Sequence, residues 1–158
     1  MYRRAVALLA SLLLLAAPRT GASEITAFLA IAKPDEVWAG GAGGAVSISF
    51  VSILHFEGEL ARQPGEVESA SMYTLTGSVL VAPPTGRLVP YAGLGIGGFR
   101  QELGAVSDTG TLHALVAGLK FKVGPIFLLK GEYRRINLSG DPLLDVEHRM
   151  SVGAGLSF

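Results

Sequence analysis

The chain contains no cysteine. No disulfide can hold it together, so stability must come from backbone pairing and side-chain packing. Beyond its first segment it also lacks any run approaching the roughly 20 apolar residues that a spanning helix needs. No segment keeps a sustained 3.6-residue period, which excludes an α-helical membrane protein and a helical bundle alike. Net charge is absent too, at +0 over 158 residues. The three histidines, His55, His113 and His148, show neither H-x-x-E nor H-E-x-x-H spacing, and no calcium-loop spacing occurs. No metal and no cofactor is therefore expected. What the chain does have is a mean hydropathy of +0.45 and 21 glycines.

Part of that hydropathy sits at the start, in MYRRAVALLASLLLLAAPRTGAS. Two arginines precede an apolar run from Ala5 to Ala17, and small residues follow around Thr20 to Ser23. Basic, apolar and small-residue regions in that order are a secretory signal, with cleavage expected after Ala22 or Ser23. The apolar run is too short to anchor the chain as a spanning helix. The expected domains are a signal peptide at 1–23 and one domain at 24–158. Removing Arg3, Arg4 and Arg19 leaves ten basic against thirteen acidic residues, a mature charge of about −3. That balance argues against nucleic acid as a partner, which calls for a basic footprint.

In the mature chain, period-2 runs recur between clusters of Gly, Pro, Asp and Ser, the signature of strands. Eight are expected, at roughly 24–32, 40–50, 53–62, 70–82, 88–101, 111–123, 126–137 and 146–158. Their connections alternate between tight, nearly uncharged turns and longer acidic ones. The tight set comprises Phe50-Val51-Ser52, Pro83 to Arg87, and Gly124-Pro125. The longer set comprises KPDEVWAG, QPGEVES, ELGAVSDTG and SGDPLLD, and the four aspartates (Asp35, Asp108, Asp141, Asp145) fall in or beside it. Alternating short and long hairpins imply an up-and-down antiparallel sheet. In outer-membrane barrels the short turns face the periplasm.

The two faces of each strand decide between water and lipid. In the last strand Val146, His148, Met150, Val152, Ala154, Leu156 and Phe158 share one side. By the same parity Glu57, Glu59, Lys120, Lys122, Lys130, Glu132, Arg134, Glu147 and Arg149 share the opposite, inward side of their strands. The inward side is also rich in Ser47, Ser49, Thr74, Thr76 and Ser78. A soluble barrel needs an apolar interior, whereas a barrel in lipid puts polar groups inside and apolar ones outside. Outward aromatics sort by height, with Phe50, Phe121, Phe127 and Phe158 toward the short turns and Tyr73 and Tyr133 toward the long loops. Two aromatic girdles of a transmembrane barrel would look this way.

The signal segment, the eight alternating strands, YAGLGIGGF and the terminal GLSF together resemble the small outer-membrane β-barrels of the OmpA/OmpX-like superfamily, over the whole mature chain. The resemblance implies an eight-stranded antiparallel up-and-down barrel in the outer membrane of a Gram-negative-type bacterium. It implies contact with outer-membrane lipid and lipopolysaccharide. It also implies that Val152, Ala154, Leu156 and Phe158 form a C-terminal signal for the barrel-assembly machinery. No second domain is expected after the barrel, so the peptidoglycan-binding role of full-length OmpA proteins is not implied.

Gly93-Leu94-Gly95-Ile96-Gly97-Gly98 matches G-x-G-x-x-G, but a nucleotide site needs the glycines between a strand and a helix. Here they lie within a strand, where glycine leaves room for long side chains across a narrow lumen. The inward charges are near balance and imply a network of ion pairs plugging the lumen. The rival reading is a narrow ion pore. A lipid-modifying enzyme would need a Ser and a His on one face, and the nearest pair, His148 and Ser151, has odd spacing and opposite faces. A secreted lipocalin-like carrier would need the charges outside. The loop acids Asp35, Glu36, Glu66, Glu68, Glu102, Asp108, Asp141 and Asp145 suit turns and solvation. Arg135 is placed to reach lipid phosphates. The expectation is a monomeric, non-enzymatic barrel with a structural or surface-interaction role.

Overall fold

Strict alternation lets each segment bury one face while exposing the other, and β-branched residues such as Val79, Ile96 and Val152 favour the extended backbone this requires. The computed structural model describes residues 23–34, 39–64, 70–140 and 146–158. The expected signal peptide lies outside these residues, as do Asp35, Glu36, Glu66, Glu68, Asp141 and Asp145. The elements are β1 (Ser23–Pro34), β2 (Ala39–Val51), β3 (Leu54–Pro64), β4 (Ala70–Val81), β5 (Leu88–Leu103), β6 (Val106–Val123), β7 (Phe127–Leu138) and β8 (Val146–Ser157). Each pairs antiparallel with its sequence neighbours, and β8 pairs with β1 to close the barrel in the order β1 to β8.

Closure satisfies the backbone of every wall, which an open edge in hydrocarbon would not allow. At the seam Ser23 N donates to Phe158 O and Phe158 N to Ser23 O, both at 2.9 Å. The last residue is thus paired by its backbone even though the ladder ends at Ser157.

The β5–β6 hairpin departs from expectation. Ser107-Asp108-Thr109-Gly110 reads as loop, yet it continues β6 as far as Val106, pairing Glu102 with Ser107 and Gln101 with Asp108. The turn shrinks to Gly104 and Ala105, because Gly104 adopts φ 59°, open to glycine at little cost. The connection between β4 and β5, expected at Pro83 to Arg87, runs through residues 82–87 and so is longer than the two-residue turn at the other end of β5. Pro83 and Pro84 supply no N–H for a ladder. Loop length therefore does not alternate as simply as the sequence suggests.

Polarity is inside-out. Leu29, Leu75, Leu94 and Val152 are 65–70% exposed, whereas Arg134 and Arg149 are 1% exposed. The interior is not uniformly polar, however. Met72, Leu80, Val89, Tyr91, Phe99, Leu112, Val116 and Ile136 form an apolar cluster inside the β4–β7 wall. The glycines of β5 also have a different reason from the one expected. A Cβ at Gly93 would strike the Val79 carbonyl of β4, and one at Gly97 the Leu75 carbonyl. They allow β5 to press against its neighbour. Room for a long side chain is made elsewhere, at Gly118, whose Cβ would collide with the Tyr91 ring.

Candidate functional site in the barrel lumen

Eight charged side chains are buried among the described residues: Glu24, Glu57, Glu59 and Glu132 against Lys120, Lys130, Arg134 and Arg149. Four acids meet four bases, so the cluster is neutral. β7 supplies its centre, because Lys130, Glu132 and Arg134 alternate inward along one strand. Arg134 donates through Nε to Glu132 Oε1 at 2.5 Å and through Nη2 to Glu57 Oε1 at 2.7 Å. The same Nη2 lies 2.9 Å from Glu59 Oε2, an ion pair without a hydrogen bond. Lys130 Nζ bridges Glu57 at 2.6 Å and Glu132 at 2.9 Å. Lys120 pairs with Glu24 and Arg149 with Glu59.

Uncharged groups tie this cluster into the walls. Tyr91 donates its hydroxyl to Glu132 at 2.7 Å, and Lys120 and Lys130 both lie 5.3 Å from its ring centroid. Arg149 lies 5.6 Å from the Phe28 ring, and Arg134 Nη1 reaches Ser78 Oγ at 3.5 Å. Carboxylate oxygens of Glu57, Glu59 and Glu132 come within 4.8 Å of one another, close enough to share a cation. The guanidinium of Arg134 contacts all three, so the chain supplies that cation itself.

The structure brings together Glu57, Glu59, Lys120, Lys130, Glu132, Arg134 and Arg149. It leaves Lys122 apart: that residue is exposed at the short-turn rim, and no ion pair among the described residues includes it. The strand ends one residue later, so its parity points inward but the lumen no longer encloses it. The Glu147 side chain lies outside the described residues. Sequence reasoning missed Glu24, Tyr91 and Phe28. Parity from Thr26 and Gly93 would have found all three, but Glu24 adjoins the expected cleavage site and the two aromatics invite an outward placement.

A Ser–His contact also went unforeseen. Ser49 Oγ and His55 Nδ1 lie 2.9 Å apart inside the short-turn mouth, as directly opposed residues of β2 and β3. Among the described residues no carboxylate hydrogen-bonds His55 to orient it, and a nucleophile needs such an oriented base. His113 is exposed on the outer wall, and His148 stacks there on Tyr133 with a 2.7 Å Tyr133 Oη to Nδ1 contact.

On the outer wall Phe50, Phe121, Phe127 and Phe158 are exposed toward the short-turn end, where Phe56 joins them edge-on to Phe50 at 6.1 Å. Tyr73 and Tyr133 lie toward the opposite end, on β4 and β7. Val152, Ala154 and Leu156 face outward on β8.

A closed eight-stranded barrel with an apolar outside and a charged inside narrows the comparison to membrane proteins. Residues 5–158 match the sequence model for the outer membrane protein beta-barrel domain. The chain belongs to that family. This outer-membrane barrel is similar in structure to Neisserial surface protein A, with TM-score 0.67 and 16% identity over 87% of this chain and 95% of that one. It also resembles the N-terminal barrel of Pseudomonas aeruginosa OprF, with TM-score 0.65 and 18% identity over 88% and 98%. Ail, the attachment invasion locus protein of Yersinia pestis, aligns with TM-score 0.60 and 22% identity over 88% and 99%, and has also been crystallised with the heparin analogue sucrose octasulfate. At these identities the likeness concerns the fold. No curated protein matches the chain. As a member of the family, the outer-membrane barrel has the outer membrane of a Gram-negative-type cell as its location.

Proposed function

We propose that the protein is a non-enzymatic barrel with a closed lumen, whose role is structural or one of surface interaction. The observation that carries this reading is the neutral four-on-four ion cluster spanning the lumen between β1, β3, β6, β7 and β8. In an eight-stranded barrel the interior is only wide enough for side chains. Here those side chains are mutually compensated and tied to Tyr91, which favours a plug over a conduit. Ail, sharing the fold, is by its name an attachment protein, which fits a function carried by the outer surface.

The remaining assignments follow from this reading. The short turns face the periplasm and the β5–β6 hairpin faces outward. Phe50, Phe121, Phe127 and Phe158 form the periplasmic girdle, and Tyr73 and Tyr133 the outer one. Val152, Ala154, Leu156 and Phe158 present the strand read by the barrel-assembly machinery, and the barrel works as a monomer. Planar-bilayer recording of the purified protein tests the closed lumen: no steps above baseline are expected. Stable openings of porin size would overturn it.

A further inference from the structure

Among the described residues the ion cluster uses every buried carboxylate, yet two cations lie beyond it toward the short turns. Arg87 closes the β4–β5 connection, whose last turn is held by Gly86 at φ 102° and by the Thr85 hydroxyl donating to Leu88 O at 2.5 Å. Lys122 N donates to Arg87 O at 2.8 Å, which carries the β5–β6 ladder one step past the Leu88–Phe121 pair. Leu88 and Phe121 face outward, so Arg87 and Lys122 share the lumen side, both exposed at the mouth. Directly opposed side chains have Cβ atoms about 4.5–5.5 Å apart, and like charges placed so repel.

No ion pair among the described residues relieves that repulsion. The turn segments at this end, 50–53, 82–87 and 124–126, contain no aspartate or glutamate. On the β3 wall stands His55, and the charged groups that act on it are Lys120, Glu24 and Lys122. Glu24 is already paired with Lys120. Ser49 Oγ lies 2.9 Å from His55 Nδ1. With the hydroxyl donating there, the neutral ring carries its proton on Nε2 and can donate it to a ligand. A lumen balanced four against four thus ends in two opposed cations and a histidine without a counter-charge of their own.

We propose that Arg87, Lys122 and His55 form a binding site inside the short-turn mouth for a phosphate dianion, either free phosphate or the terminal phosphate of a small soluble monoester. An arginine fork beside a lysine point charge matches phosphate oxygens. Two cations at this spacing call for a dianion, because a monoanion leaves one of them uncompensated. Both stand on the lumen side of the wall, away from the surrounding headgroups, which selects a soluble ligand over a lipid. The neutral cluster behind them makes the mouth a dead end that holds the anion without passing it on, and this last step rests on the closed-lumen reading.

The test is equilibrium dialysis of the full barrel in uncharged detergent micelles against radiolabelled inorganic phosphate or glycerol phosphate, at fixed ionic strength. Wild type is expected to bind either probe saturably, at about one per barrel, and the tighter of the two identifies the source. Arg87→Gln and Lys122→Gln should each weaken binding at least about tenfold, and Arg100→Gln, at the far end of β5, should leave it unchanged. His55→Ala should weaken it as well. No binding of either probe, or equal binding by the Arg87 and Lys122 variants, overturns the proposal. Unchanged binding by His55→Ala overturns the site as drawn across the mouth. Displacement by chloride at the same ionic strength would mark mere screening, and displacement by phosphatidylglycerol in the micelle would mark a lipid contact; either overturns it. A second readout is the urea midpoint. Lys122→Gln should hold or raise it without phosphate, because a repelling charge is gone, and phosphate should raise it for wild type but not for this variant. A lower midpoint for Lys122→Gln would show that Lys122 is paired and overturn the premise. If a variant gives no heat-modifiable band, the phosphate and chloride arms on wild type decide alone. Conductance steps in a bilayer would unseat the closed lumen, whereas failure of phosphate binding unseats this site.

Discussion

Replacing Arg134 by Met removes the one side chain that contacts Glu57, Glu59 and Glu132 together. Three acids within 4.8 Å of one another then keep only Lys130 and Arg149 nearby, and the buried cluster changes from four-on-four to four acids against three bases. Breaking a buried ion pair from one side costs about 3–5 kcal/mol, because the charges left behind are neither solvated nor paired. The double variant Arg134→Met with Glu57→Gln behaves differently. It leaves Lys130 with Glu132, Arg149 with Glu59 and Lys120 with Glu24, three one-to-one pairs. Removing both members of a pair lifts the penalty of the orphan, so the double variant should be more stable than Arg134→Met alone, with a coupling of about 1–3 kcal/mol. Urea titration of the folded, heat-modifiable band in lipid vesicles measures all four corners of the cycle. Strict additivity would refute the claim that these residues act as one network. A loss below about 0.5 kcal/mol for Arg134→Met would show that water, not the carboxylates, holds the guanidinium.

Three other outcomes are expected. Leu94→Arg, placed at a 67% exposed position in the middle of β5, should destabilise the barrel by about 2–4 kcal/mol in lipid vesicles; a water-facing wall would accept the arginine within about 0.5 kcal/mol. Gly118→Val should push Tyr91 off Glu132 and lower the urea midpoint by the equivalent of about 1–3 kcal/mol, whereas Gly58→Ala, whose Cβ meets nothing within 4 Å, should change little. Deleting Phe158 should abolish outer-membrane assembly in cells while purified protein still refolds into detergent with a modest loss of stability, since two seam hydrogen bonds go with it. Equal assembly in cells with and without Phe158 would refute its role as a signal.

Where the sequence was legible, the reason is period 2. In FLLKGEYRR the alternation places Lys130, Glu132 and Arg134 on one side and Leu129, Gly131 and Tyr133 on the other, and the wall follows it residue by residue. The same parity argument groups seven of the nine expected lumen charges. It misleads where a strand leaves the enclosure, as at Lys122, because parity sets direction but not depth. Turn chemistry was less legible. Ser107-Asp108-Thr109-Gly110 carries loop-forming residues yet stays in β6, since its cross-strand partners Phe99 to Glu102 continue the β5 ladder and tertiary pairing overrides local preference. The apolar lumen cluster was hidden for another reason. Val116 lies between outward Leu115 and Ala117, where alternation of polarity has nothing to contrast, whereas Leu112 and Ile136 lie between outward polar residues (Thr111 and His113, Arg135 and Asn137), so there the pattern inverts.

That mixed interior bears on what the ion cluster is for. An apolar-walled barrel has little to stop a strand slipping by one residue, because both of its faces suit lipid. β7 cannot slip in this way. A one-residue shift exchanges its faces and carries Lys130, Glu132 and Arg134 from the lumen to the outer wall. Each cation there costs about 2–4 kcal/mol near the membrane midplane, so the two together oppose the slipped state by about 4–8 kcal/mol before any lost pairing is counted. Replacing a buried ion network with apolar residues of similar volume often leaves stability unchanged or improved. The charges on β7 are therefore better understood as fixing which residues face inward than as adding to total stability. Glu24 and Lys120 do the same for β1 and β6, Glu57 and Glu59 for β3, and Arg149 for β8. β2, β4 and β5 carry no charge of this cluster and take their register from those neighbours: β2 lies between β1 and β3, and β4 and β5 are paired between β3 and β6.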